Sequence, residues 1–107
     1  VGQRKEPCNL EIDAAGFTVV IRGQDIGDVR WLDVARVDAA NLDGLFFVRF
    51  SRTGTGGQCN LSSDCDGFER VMALAGERLA GFPTDWQERV LRHQPAGHTL
   101  CVYKPPE

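Results

Sequence analysis

The sequence predicts an α+β domain: a strongly bent antiparallel sheet of five or six strands, two consecutive helices packed on one face, and a C-terminal strand returning to the sheet. Three observations predict it. Up to Ser62 apolar residues alternate with period two between turn residues spaced roughly every ten positions, the mark of antiparallel strands. From Ser63 the period becomes helical. Beyond the Pro and Gly near residues 95–97, alternation resumes in Leu100 and Val102 against Thr99, Cys101 and Tyr103.

In order, residues 8–12 form a short first strand and Asp13-Ala14-Ala15-Gly16 a turn. Phe17, Val19 and Ile21 then share one face of a second strand, and Gly23-Gln24-Asp25 turns the chain again. Residues 26–39 read as one long extended run, but Val34 and Val37 fall out of phase with Val29 and Trp31. A bulge or a short helical turn near Asp33 restores the phase, so the run is expected to bend there. Asn41-Leu42-Asp43-Gly44 closes a hairpin onto residues 45–51, where large apolar groups occupy both faces, the pattern of a central strand. Residues 52–57 are a glycine-rich hairpin tip leading into residues 58–62.

Phe68, Val71, Met72, Ala75 and Leu79 recur at helical spacing, with Ser63 or Asp66 as the expected N-cap and Gly81 as the left-handed residue that ends the segment. A second helix is announced by Thr84 as N-cap with Gln87 three residues on. Trp86, Val90 and His93 share its face. Residues 1–7 are read as a flexible segment, 8–104 as a single domain and 105–107 as a tail.

Composition narrows the function classes. The 107 residues are 42% hydrophobic and 25% charged, with a formal charge of -3 and the two signs interspersed. A nucleic-acid partner would call for a basic stripe, and the sequence has none. The longest apolar runs, at 17–21 and 45–48, fall far short of the roughly 20 residues that span a bilayer, so no membrane association is expected. Residues 1–7 lack the apolar segment of a signal peptide, and the cytoplasm is the expected compartment.

Cys8, Cys59, Cys65 and Cys101 contain no C-x-x-C pair, so neither a metal nor a disulfide framework is expected. Free, partly buried thiols are the reading that suits a cytoplasmic chain. The one pairing set worth weighing is Cys59 with Cys65 and Cys8 with Cys101.

Several motifs bear on chemistry. Gly54-Thr55-Gly56-Gly57 joins two strands and lacks both a following helix and a Lys, so it reads as a hairpin tip and not as a phosphate loop. Ser62, Asp64, Asp66 and Gly67 imitate the first half of a calcium loop, but the twelfth position is Ala73, placed in the helical stripe, where a bidentate Glu belongs. His93 and His98 stand on different elements and match no standard metal spacing. No cofactor or metal is expected. Cys65 near a helix N-terminus carries the one hint of a reactive thiol. The weak catalytic candidates are therefore Cys65, Asp66, His93 and His98. Trp31, Trp86, Phe46, Phe47, Phe50 and Phe68 are assigned to the core, and Arg30, Arg36, Arg49 and Arg52 to a sheet face neutralised by Asp33, Asp38 and Asp43.

With Val29-Arg30-Trp31-Leu32-Asp33-Val34 and Val37, residues 46–50, Leu79-Ala80-Gly81-Phe82 and residues 99–103 in view, the chain resembles a group of small uncharacterised bacterial proteins. These carry a strand ending in R-W-x-x-x-x-x-V, a hairpin strand with paired aromatics, a C/V-x-x-P-like stretch, a helix finishing in L-P-G-F-D and a terminal aromatic strand. The resemblance covers residues 16–104, departs at Ala80-Gly81-Phe82-Pro83-Thr84, and extends to bacterial pleckstrin-homology-like domains, in which a bent sheet is closed by a helix. What it implies concerns the fold and not an activity.

The expected function is a non-catalytic module that binds another protein, with immunity-type neutralisation of a partner as one form of it. The alternatives are a small enzyme or ligand-binding domain using a cleft between sheet and helices, and a structural homodimer joined through an edge strand at residues 8–12 or 98–104.

Overall fold

The computed structural model describes residues 8–54, 57–92 and 98–104. The expectations placed on residues 1–7, on His93, Pro95 and Gly97, and on residues 105–107 lie outside the described residues.

A three-stranded antiparallel sheet comes first: β1 (Cys8–Ile12), β2 (Gly16–Ile21) and β3 (Gln24–Arg30), in that spatial order. The Asp13 carboxylate accepts the backbone N–H groups of Ala15 and Gly16 at 2.8 and 2.9 Å, which folds the first turn locally. Gly16 follows because a Cβ there would lie 1.8 Å from the Val29 carbonyl oxygen. The second turn sits one residue earlier than expected. Arg22 and Gly23 both have positive φ, 54° and 78°, so they form the tight hairpin and free Gln24 to begin β3.

Trp31–Asp33 is a single turn of 3-10 helix, at the bend expected near Asp33. Its effect is larger than a bend. It carries the chain out of the first sheet and into a second, built from β4 (Val34–Leu42), β5 (Leu45–Arg52), β6 (Gln58–Ser62) and β7 (Leu100–Tyr103) in the order β6-β5-β4-β7. The expected single sheet of five or six strands is thus two antiparallel sheets of three and four strands. The run at 26–39 supplies a strand to each, which raises the total to seven. Asp43 and Gly44, at φ 54° and 84°, close the β4–β5 hairpin where the sequence placed it. The C-terminal strand returns to the sheet beside β4.

Helix α1 (Phe68–Arg78) lies against β1 and α2 (Trp86–Arg92) against β4 and β7, so the two helices serve different sheets and do not share one face. One core joins all four parts. Phe17, Val19 and Val29 come from the first sheet, Val37, Val48 and Phe50 from the second, Phe68, Val71 and Ala75 from α1, and Trp86 and Val90 from α2. The predicted α1 stripe is buried at every position from Phe68 to Leu79. Aromatic pairs tie the layers: Phe17 meets Trp31 and Phe50 at 5.5 and 5.1 Å, and Trp86 meets Phe46 and Phe68 at 5.2 and 6.1 Å. Phe47 leaves the expected core. It stands on the outer face of β5 and is 41% exposed, whereas Phe46, Val48 and Phe50 point inward.

Neither Ser63 nor Asp66 caps α1. The Ser63 hydroxyl instead accepts the Phe46 N–H at 3.0 Å, and the Asp66 backbone is engaged with β1, accepting from Leu10 N–H at 2.9 Å and donating to Cys8 O at 2.8 Å. The helix is entered through Gly67 at φ 94°. In α2 the first backbone bond runs from Arg89 N–H to Asp85 O, one residue beyond the Thr84 cap expected. Gly81 is left-handed, as expected, at φ 85°.

Candidate functional site

The segment between β6 and α1 carries the first group of candidate residues. Here Cys65 is bonded to Cys8, which corrects both the expectation of free thiols and the weighed pairings of Cys59 with Cys65 and Cys8 with Cys101. Spacing along the chain gave no hint of this crosslink. It follows from the isolated bridge between Asn9 and Asp66, which lays the segment alongside β1 and brings the Cys8 and Cys65 Cα atoms to 4.9 Å. Cys65 therefore offers no thiolate, and its reading as a reactive nucleophile is withdrawn.

Asp66 shares a shallow hollow with Cys65, lined by residues 63–70. His98 is absent from that lining; it stands exposed just before β7, the edge strand of the other sheet. His93 lies outside the described residues. Among the described residues the structure thus brings Cys65 and Asp66 together, with His98 apart from them. Among the described residues no three His, Cys, Asp or Glu side chains converge as metal ligands. Ala73, read as part of the buried stripe, is in fact solvent-exposed on α1.

The free cysteines are Cys59, buried, and Cys101, half-buried on β7. Burial pushes the Cys59 thiol pKa up, against a smaller downward pull from the Arg52 charge, with Asp28 adding to the rise. That thiol stays protonated and unreactive at neutral pH. The outer face of the second sheet carries one buried carboxylate, Asp38, which accepts from Arg36 Nε at 2.9 Å. Asp38 also pushes the Arg36 pKa further up, by that hydrogen bond first and by its charge second. Arg49 donates to Asn60 at 3.3 Å and Arg52 to the Asp28 carbonyl at 2.6 Å, so the arginines do not gather as one charged patch neutralised by Asp33, Asp38 and Asp43.

A second concavity, of about 300 Å³, runs beside α1. Its inner wall is Phe68, Met72 and Trp86, and Phe82 closes one end. Ala73 and Gly76 form its helical side, with Glu69 and Gln87 at the rim. Gly76 decides the character of this groove. It lies near the end of a helix at an ordinary helical φ, and a Cβ added there would meet nothing within 4 Å. A glycine in a helix costs about 0.5–1 kcal/mol relative to alanine, and packing within the molecule does not require one here. The glycine keeps the groove open.

Comparison with family models, with curated proteins and with solved structures gives no match.

The function of the groove therefore rests on its own geometry. Sequence reading missed it because its walls, Phe68, Met72, Phe82 and Trp86, are the same residues that mark the core. What could have pointed to it is the exposed helical pair Ala73 and Gly76, three apart and so on one face, flanked by Glu69 one turn earlier.

Proposed function

We propose that this protein is a non-catalytic module that binds another protein, inserting a partner's apolar side chain into the groove between α1 and the Phe82–Trp86 connection. The carrying observation is the open helical side at Gly76 over an aromatic wall, an arrangement with no use inside the molecule. Glu69 at the rim and the net charge of -3 favour a partner whose apolar anchor is flanked by basic residues. Neutralisation of a toxin-like partner is one service of such a module. Kinship with small bacterial proteins of pleckstrin-homology-like arrangement is part of this proposal, supported by antiparallel strands closed by helices.

The crosslink bears on the compartment. No helix among the described residues is long and apolar enough to cross a membrane. The Cys8–Cys65 bond favours an oxidising environment over the cytoplasm expected from the sequence. Homodimer formation through β7, the outer strand of its sheet, is the competing reading, the outer edge of β1 being engaged by Asp66.

The test is binding of a partner identified by capture, then purified and titrated. Wild-type protein is expected to bind it saturably, Gly76→Leu to lose at least about tenfold in affinity with its melting temperature kept, and Glu69→Lys to weaken it in a salt-dependent way. A partner bound equally by wild type and Gly76→Leu removes the groove from the proposal. A protein that captures only its own copies, and elutes as a dimer, replaces the proposal with the edge-strand reading.

A further inference from the structure

The 3-10 turn between the sheets carries a second, unassigned site. Trp31 anchors the turn in the core against Phe17 and Phe50, and its backbone N–H donates to Ala15 O at 2.9 Å. At the other end, Thr53 N–H donates to Asp33 O at 2.8 Å. Between these two pins Leu32 is held outward and is 97% exposed, the most exposed large apolar side chain among the described residues. A flexible loop would let it fold back onto the surface; a turn fixed on both sides does not.

Beside Leu32 lies a pocket of about 310 Å³, lined by Ala14, Ala15, Arg30, Trp31, Leu32 and Arg78. Its walls are mainly apolar, and its charged groups are both cations. Neither Arg30 nor Arg78 is in an ion pair or side-chain hydrogen bond among the described residues, in contrast to Arg36, Arg52, Arg89 and Arg92. Trp31, itself 93% buried by its 7% exposure, has an indole N–H with no acceptor. Two guanidinium groups thus border a single apolar pocket whose lining holds no carboxylate.

We propose that this pocket binds an amphipathic carboxylate, a medium-chain aliphatic acid. Its chain lies against Ala14, Ala15, Trp31 and Leu32, and its carboxylate is held by Arg30 and Arg78. Planar guanidinium groups match a carboxylate in shape as well as in charge. The volume stands at the small end of the range for small-molecule sites, which sets the limit on chain length. A bound chain also covers Leu32. A carboxylate of the same chemistry ends any peptide with an apolar last residue, and the experiment separates the two sources.

The experiment is a titration of the intact, oxidised protein followed by ¹H–¹⁵N NMR, with the Trp31 indole signal assigned from its loss in Trp31→Phe. Sodium octanoate is expected to shift that signal saturably, and octylamine and octanol are not. Arg30→Gln and Arg78→Gln are each expected to weaken octanoate about tenfold while the melting temperature stays unchanged. Leu32→Ser is expected to reduce the gain in affinity between hexanoate and octanoate. The proposal is overturned if octanol shifts the signal as octanoate does, if both arginine variants bind octanoate as the wild type does, or if a Leu-ended peptide binds through its free carboxylate while octanoate does not.

Discussion

Two glycines with opposite roles show how far a single residue reaches in this molecule. At Gly16 a methyl group would collide with the Val29 carbonyl and drive β2 from β3, whereas at Gly76 it would enter open groove. Gly16→Ala is therefore expected to destabilise the protein by at least about 2 kcal/mol, by the strain of an overpacked position. Gly76→Ala is expected to stabilise it by about 0.5–1 kcal/mol. Urea unfolding of both variants measures this, and a destabilised Gly76→Ala would remove the argument that the glycine serves the groove. Sequence reading placed Gly16 in a turn but gave no sign that a neighbouring strand's backbone fills its Cβ space. Strand alternation is a local signal; close approach between strands is not.

Cys59 supplies a pH prediction at the same scale. Its thiol pKa is raised in the folded state, chiefly by burial, so the unfolded chain releases this proton first as pH rises. The contribution of Cys59 to stability is full below the ordinary thiol value of about 8.5 and is lost as pH climbs from there toward the raised folded value. Urea midpoints measured from pH 7 to 10 are expected to fall more steeply for wild type than for Cys59→Ala. Parallel slopes would mean that the thiol is not held protonated by the fold.

Among elements, the β6–α1 connection departs most from expectation. Ser63, Asp66 and Gly67 form a reasonable capping sequence, yet Ser63 bonds Phe46, Asp66 bonds β1, and Gly67 alone begins the helix. Local capping competes with long-range backbone pairing here, and pairing prevails because β1 has an open edge to offer. The disulfide follows from the same pairing, which is why a sequence with no adjacent cysteines still forms one. With a sequence separation of 57 between the two cysteines, the loop-entropy relation gives about 4 kcal/mol of stabilisation. Reduction, or paired Cys8→Ser and Cys65→Ser substitution, is expected to lower the unfolding free energy by up to that amount. An unchanged urea midpoint on reduction would show that the unfolded chain gains nothing from release of the loop.

For the whole molecule, the readable part was the order and type of the elements. The strands before Ser63, the α1 stripe from Phe68 to Leu79, the buried pair Trp86 and Val90 of α2, and the final strand all follow from periodicity and turn residues. The division into two sheets was not readable, because the phase change at Val34 fits a bulge within one strand as well as a passage between two. Only the packing of Trp31 against Phe17 and Phe50 distinguishes them. The groove and the pocket beside Leu32 were hidden for a related reason. Both are assembled from residues far apart in the chain, such as Ala14 with Arg78, that no pattern along it associates.

The burial of Cys59 has a consequence for how the molecule is made. Cys59 precedes Cys65 in the chain, so a competing thiol is present while the Cys8–Cys65 bond forms. Cys59 lies where β6 faces β3, and its sulfur is within 3.5 Å of the space a side chain at Gly27 would take. Once the two sheets close on each other, that sulfur is withdrawn from exchange and Cys65 is left as the thiol beside Cys8. Closure of the sheets thereby keeps the Cys59 thiol apart from the Cys8–Cys65 bond in the folded molecule.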